Sequence, residues 1–147
     1  MGMERQPTYD DVNLILRLFE LRREEKMRQA RAWFIASFKA MTPEKHAALC
    51  PPGSDQDAYF RMVVSYWEMV ASFITCGVLH QELFFQSGGE LLFTWERIRE
   101  LVPAYRAQFK NPNMSKNLET VANNYIGWMT EKSPEAYAAF QARVSGG

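Results

Sequence analysis

Residues 54–76 read SDQDAYFRMVVSYWEMVASFITC, and this stretch decides the fold. Its polar side chains recur at steps of four or three residues, which is the period of an α-helix. They are Asp57, Arg61, Ser65, Glu68, Ser72 and Thr75. A helix with only one narrow polar stripe is covered on most of its sides. We therefore predict that this stretch forms the central helix of a bundle and ends near Cys76.

The longest helix is predicted upstream of this stretch. Neither Gly nor Pro occurs between Thr8 and Pro43, so the sequence predicts one helix over about 9–40, with Thr8 at its start. A helix of about 30 residues is about 45 Å long, which exceeds what a compact domain of this size covers. Its centre, between Arg22 and Arg31, is rich in charge. Part of this helix is therefore expected to protrude or to pair with a partner.

Further helical patterns follow the central stretch. An apolar stripe runs from Leu91 to Phe109, and Pro103 is expected to kink or split that helix. No stretch shows the two-residue alternation of a half-buried strand for long enough to matter. The predicted fold is all-α, an irregular bundle of five or six helices with one long N-terminal helix. We expect a flexible N-terminus at 1–7, a single helical domain at 8–144 and a frayed tail at 145–147.

The composition restricts the classes of partner. Lys plus Arg and Asp plus Glu each total 17 in 147 residues, which removes the broad attraction that drives non-specific binding to nucleic acid. The 18 residues of Met62–Leu79 contain a central Glu68, which argues against a membrane span. Cys50 and Cys76 lie in no CxxC motif, so neither a disulfide framework nor a zinc site is indicated. These features favour a cytoplasmic protein.

No pattern for metal, cofactor or catalysis stands out. A carboxylate-bridged metal site in a bundle needs Glu-x-x-His pairs one turn apart, and the sequence contains none. His80 and Glu82 are two residues apart, so their side chains diverge on a helix. We therefore expect no metal, no cofactor and no catalytic set, although a hydrolase that uses Glu68 or His80 is kept as an alternative.

Glu68 is the one singular polar position. It is the only formally charged residue between Arg61 and Glu82, on the helix that we expect to be most enclosed. A carboxylate removed from water without a partner is costly, so Glu68 should either reach solvent along the polar stripe or bond to a buried donor. We favour a donor on the helix expected to pack antiparallel. The candidate donors are Arg97, Arg99, Arg106 and the Trp95 indole. A structural bridge is favoured over a catalytic role.

Aromatic residues make up 14% of the chain, and its four tryptophans fall in different predicted helices. Helical spacing alone accounts for most of these rings as core residues. The alternative is an interhelical pocket for an apolar ligand. Its candidate lining residues are Tyr66, Trp67, Trp95 and Trp128.

One part of the chain resembles a known family. The pattern comprises Trp67-Glu68, Gly77-Val78-Leu79, Leu83-Phe84, Leu92, Trp95, Leu101-Val102-Pro103 and Arg106. It covers about residues 60–107 and is similar to a family of small bacterial helical proteins classed as a domain of unknown function. The resemblance implies a helical domain that is often placed after an N-terminal membrane segment, a segment that we do not find in this sequence. It supplies no catalytic residues.

The function expected from the sequence is a non-enzymatic protein-interaction module. The chain would form a homodimer through its long first helix, or bind another protein with it. The alternative from a different class is a small domain that binds an apolar ligand, or a hydrolase, with an aromatic pocket between helices.

Overall fold

The computed structural model describes residues 5–146, and this part of the chain contains nine helices and no strand. The helices are α1 (Tyr9–Arg22), α2 (Glu25–Ser37), α3 (Pro43–Leu49), α4 (Asp55–Thr75), α5 (Gln81–Phe85), α6 (Gly89–Ile98), α7 (Val102–Gln108), α8 (Lys116–Lys132) and α9 (Ala136–Gly146). The predicted all-α class is confirmed, whereas the predicted number of five or six helices is wrong. The predicted flexible N-terminus and frayed tail fall in part on residues 1–4 and 147, which lie outside the described residues.

Helix α4 lies at the centre of the fold. It packs most extensively against α2 and α8, and also contacts α6. The Ser54 side chain accepts a hydrogen bond from the Asp57 amide at 3.1 Å and so caps the start of α4. On its inner faces, Val63, Trp67 and Val70 are completely buried. The helix that the sequence placed at the centre of the bundle is therefore the one around which the core forms.

The prediction of a single long N-terminal helix is wrong, because the chain turns between α1 and α2. Glu24 adopts extended backbone angles (φ −59°, ψ 143°), and its carboxylate accepts a hydrogen bond from the Met27 amide at 3.0 Å. The Arg31 guanidinium donates to the Arg22 carbonyl, which the break leaves without a helical partner, at 3.2 Å. Side chains thus replace the helical bonds lost at the turn, and neither Gly nor Pro is needed.

Pro103 divides the next long apolar stripe, as predicted. Helix α6 ends at Ile98 and α7 begins at Val102, so Pro103 lies in the first turn of α7. The amides of a first helical turn have no intrahelical acceptor, so a proline costs no hydrogen bond there. The predicted interruption is therefore a complete split of the helix.

A buried carboxylate attaches the start of α1 to the α4–α5 connection. Asp11 is 1% exposed and accepts hydrogen bonds from both the amide and the hydroxyl of Thr8. It also accepts from the His80 amide at 2.8 Å and from the Arg5 guanidinium at 2.7 and 2.8 Å. These bonds, with the Arg5 guanidinium first among them, hold the pKa of Asp11 well below its usual range.

No helix in residues 5–146 combines the length and the apolar character that a membrane crossing requires.

Candidate functional site: a groove beside the central helix

A groove of about 860 Å³ lies beside α4. Helices α3 and α7 and the connection between α7 and α8 form its other sides. Most of its lining is apolar, with side chains from Ala47, Cys50, Pro52, Ala58, Phe60, Met62, Val64, Phe109 and Met114. Cavities of roughly 300–1,000 Å³ with an apolar lining are typical of sites for small molecules.

The polar stripe of α4 supplies one wall of this groove. Asp57, Arg61, Ser65 and Glu68 all line it. Arg61 and Asp57 form an ion pair at 3.4 Å across one turn, and the Ser65 hydroxyl donates to the Arg61 carbonyl at 2.6 Å. The stripe that sequence periodicity identified is therefore the polar side of an otherwise apolar groove.

A histidine–tyrosine pair lies on the opposite side. His46 Nδ1 and the Tyr105 hydroxyl share a hydrogen bond, and the imidazole packs against the Phe60 ring at 4.4 Å between centroids. Burial lowers the pKa of His46, which favours the neutral imidazole. His46 Nε2 is buried and has no hydrogen-bond partner among the described residues. The pair adds polar groups to the groove without adding charge at neutral pH.

The groove does not contain an activated nucleophile. Cys50 is 4% exposed, and burial raises the pKa of its thiol to about 11. The thiolate is the reactive form of cysteine, and such a pKa keeps Cys50 protonated near neutral pH. Burial also raises the pKa of Tyr105. Neither Cys50 nor Tyr105 is therefore activated as a nucleophile.

The expected bridge between Glu68 and an arginine or the Trp95 indole is not formed. One carboxylate oxygen of Glu68 accepts from the Leu118 amide and the other from the Asn117 side chain, each at 2.8 Å. Leu118 lies in the first turn of α8, and Ser115, the residue before α8, makes no side-chain cap. Glu68 therefore caps α8 from a neighbouring helix, which suits the positive end of the helix dipole.

The three arginines named with Glu68 occupy three separate places. Arg97 is 2% exposed and donates to the backbone carbonyls of Phe38, Ile35 and Val144. Arg99 binds the Glu96 carboxylate at 3.1 Å and the Tyr137 hydroxyl at 3.0 Å. Arg106 binds the Met114 carbonyl at 2.9 Å and the Glu119 carboxylate at 3.1 Å. They bond different parts of the fold and do not form one polar site.

The aromatic residues proposed as a pocket belong to the core instead. Tyr66 packs edge-on against Trp67 at 4.9 Å, and Trp128 packs against Phe85 at 5.5 Å. Trp95 is 4% exposed. None of the four lines the groove, and the space beside Tyr66 and Trp67 is only about 10 Å³. Helical spacing predicted that these rings face the interior. It did not indicate whether the space between them is filled by side chains or open to a ligand.

His80 is used as a cap. Its Nδ1 accepts a hydrogen bond from the Leu83 amide at 3.1 Å at the start of α5. Both oxygens of Glu68 are engaged as well, so neither of the residues considered for a hydrolase is held ready as a base. In residues 5–146, no group of three or more His, Cys, Asp or Glu side chains is placed to hold a metal ion.

A second surface lies on α1 and is called the α1 face here. Its apolar side chains are Tyr9, Val12 and Leu16, which are 78%, 42% and 58% exposed. Their spacing of three and four residues puts them on one side of the helix, roughly opposite the buried Asp11 and Leu18. The α1 face is a narrow apolar stripe of the kind that forms a seam between two helices.

Comparison with known proteins identifies a family. The family described as "Domain of unknown function (DUF4760)" matches residues 7–142. This match confirms the resemblance seen in residues 60–107 and extends it to nearly all of the chain. Neither a curated protein nor a solved structure matches the chain.

Proposed function

We propose that the chain, which belongs to the DUF4760 family, is a non-enzymatic interaction module whose groove binds a small, largely apolar molecule. The groove itself is the observation that carries the proposal. Its volume of about 860 Å³ suits a ligand of drug-like size. The Tyr105 hydroxyl and the polar stripe of α4 place polar groups on two sides of this space.

The engagement of the polar side chains supports a binding role over catalysis. Glu68 and His80 each cap a helix, and the Cys50 thiol is protonated at neutral pH. A general base or nucleophile needs a free reactive atom within reach of the reacting group. Glu68 and His80 each use such an atom to cap a helix, and the thiol form of Cys50 is a poor nucleophile.

A fluorescent apolar probe tests the groove. We expect 1-anilinonaphthalene-8-sulfonate to bind the folded chain at one site and to gain fluorescence, and we expect Ala47→Trp to abolish this gain. Ala47 lines the groove, so the indole would fill it. Ala48→Trp is the matched control, because Ala48 is exposed on the same helix and does not line the groove. Equal fluorescence for the two variants, or none for the unmodified chain, would contradict the proposal.

Self-association as a homodimer is the second candidate function, and the α1 face favours it. The homodimer was first expected from the over-long helix, which is not formed. The evidence for it is now the exposed apolar side chains of Tyr9, Val12 and Leu16. Size-exclusion chromatography with light scattering should give twice the chain mass of 17.1 kDa at high micromolar concentration. A mass of one chain throughout would refute this candidate.

A reducing, cytoplasmic location is part of the proposal, because Cys50 and Cys76 are both free.

A further inference from the structure

We propose that α3 is a movable wall of the groove, held in place by the hydrogen bond between His46 and Tyr105 and released when His46 takes up a proton. This proposal rests on the proposed function, since it describes how binding in the groove is regulated. The groove would hold its ligand near neutral pH and release it in mildly acidic solution. The observations that carry the proposal are the weak attachment of α3 and the surroundings of the imidazole.

Helix α3 is weakly attached to the rest of the fold. None of its seven residues is fully buried, whereas α4 and α7 both contribute buried residues, and Leu49 reaches the core only in part. Within residues 5–146, the pair of His46 and Tyr105 makes the only side-chain hydrogen bond or ion pair between α3 and another helix. Elements with few buried apolar contacts open at a low cost in free energy.

The chain on both sides of α3 allows such a movement. The fixed points are Phe38, which is 0% exposed, and Ser54, which caps α4. Between α3 and α4 lies the exposed stretch 51–53, two prolines and a glycine, which has no helical structure. The buried Cys50 anchors the C-terminal end of α3, so the helix would swing about this end. The swing would carry Ala47, which lines the groove, away from α4 and widen the groove.

The site of His46 favours the neutral imidazole. The ring packs against the Phe60 and Phe38 rings at 4.4 and 5.7 Å between centroids. Its Nε2 is buried and has no hydrogen-bond partner in the described part of the chain. A protonated imidazole carries a hydrogen on both nitrogens, so it would place a charge and an unpaired donor in this site. Both are costly away from water, and burial accordingly lowers the pKa of His46.

The charged groups near the imidazole do not reverse this preference. From α4, Asp57 favours the cation, but its carboxylate pairs with Arg61 and makes no hydrogen bond to the ring. From α7 the ring meets the Tyr105 hydroxyl, and the charged residues of α3 itself, Glu44 and Lys45, are both exposed. Release of α3 would return the imidazole to water, where its ordinary pKa is about 6.5. The released helix therefore binds the proton more readily, and a fall in pH through about 6.5 favours release.

Hydrogen exchange of the chain without ligand tests the movement. We expect Tyr105→Phe, which removes the hydroxyl and keeps the ring, to lower the protection of the α3 amides by roughly fivefold. Tyr125→Phe is the matched control, because it also loses one hydroxyl bond, to the Phe85 carbonyl, and Tyr125 does not line the groove. It should leave α3 unchanged. Equal protection of α3 in the two variants would overturn the proposal.

A change of pH tests the role of His46. After correction for the intrinsic exchange rate, the protection of α3 should fall by roughly tenfold between pH 7.5 and 5.5, because release takes up one proton. His46→Gln should remove this dependence, since its amide oxygen accepts from the Tyr105 hydroxyl but does not titrate. The proposal is wrong if the unmodified chain shows no dependence or if His46→Gln keeps it.

Binding of 1-anilinonaphthalene-8-sulfonate connects the movement to the groove. Its dissociation constant should rise several-fold from pH 7.5 to 5.5 in the unmodified chain and stay constant in His46→Gln. Binding that is independent of pH in the unmodified chain would refute the regulation and leave the proposed function intact. Absence of binding at every pH would refute the proposed function, and the exchange of α3 would still decide whether this helix moves.

Discussion

Helices α1 and α2 come from one uninterrupted run of helix-forming sequence, yet different forces hold them to the rest of the fold. Helix α2 attaches by apolar burial: Ala30, Phe34 and the adjacent Phe38 are at most 1% exposed and face the core around α4. Helix α1 buries only Asp11 and Leu18, and hydrogen bonds fix its position.

This difference shows that hydrogen bonds and apolar packing hold different helices to the rest of the fold. Packing tolerates a change of pH and gains strength with area, so the attachment of the apolar face of α2 does not depend on the ionisation of one carboxylate. Hydrogen bonds to a charged group depend on its ionisation, so the attachment of α1 depends on pH. Helix α1 also carries exposed apolar side chains on its outer face.

Phe34→Ala should cause the largest loss of stability, and it tests whether apolar burial holds α2. The Phe34 ring stacks on Phe38 at 5.0 Å and is 1% exposed, so truncation leaves a cavity in the core. We expect a loss of about 4 kcal/mol in the free energy of unfolding, measured with urea. Ile35→Ala, at a neighbouring position that is 42% exposed, should cost under about 1 kcal/mol. Equal losses would show that α2 is not held by burial.

Asp11→Asn should have a smaller effect and tests the polar attachment of α1. The substitution removes a buried charge that accepts from the Thr8 and His80 amides and from Arg5. We expect a loss of about 2 kcal/mol, because Arg5 is partly exposed and regains water. Asp10→Asn, at an exposed site on the same turn, is the control and should cost under about 1 kcal/mol.

The effect of Asp11→Asn on stability should depend on pH. The pKa of Asp11 is lowered in the folded chain, so its contribution to stability is fully present above its ordinary pKa of about 4. Below that pH the unfolded chain takes up a proton that the folded chain does not, and the contribution falls. The stability difference between the unmodified chain and Asp11→Asn should be constant from about pH 5 to 7 and shrink below about pH 4. A constant difference down to pH 3 would contradict the role given to this carboxylate.

Tyr66→Phe should have the smallest effect of the three. The Tyr66 hydroxyl donates to the Leu18 carbonyl at 2.6 Å, and burial raises the pKa of Tyr66 to about 12. Loss of one buried hydrogen bond with the ring retained should cost about 1 kcal/mol in thermal or urea unfolding. Hydrogen exchange should quicken in α1 and remain unchanged in α2, whereas a uniform change in both helices would argue against separate attachments.

The sequence predicted the parts of the fold that depend on local pattern. The apolar pattern placed α4, and Pro103 placed the split between α6 and α7, since period and ring geometry act within a few residues. The turn at Glu24 escaped prediction because its stabilising groups include Arg31, whose guanidinium reaches Glu90 at 2.7 Å in another helix. A cap made by a distant residue leaves no local signal.

The groove could not be predicted for the same reason. Its sides come from α3, α4, α7 and the segment before α8, and an empty volume depends on how these elements meet. The polar stripe on α4 was the only signal of it in the sequence. Glu68 was recognised as needing a partner, but the partner is a backbone amide at the start of α8, and any residue type except proline could supply that amide.

The contacts of Arg97 affect the order in which parts of the chain can fold during synthesis. Its buried guanidinium has no carboxylate partner in the described part of the chain and relies on carbonyls at the ends of α2 and α9. During synthesis Arg97 is added to the chain 47 residues before Val144, one of its acceptors. Collapse of the earlier helices at that stage would bury a cation with part of its hydrogen bonding missing, which is unfavourable. We therefore expect the core to reach its final packing only once α9 is present.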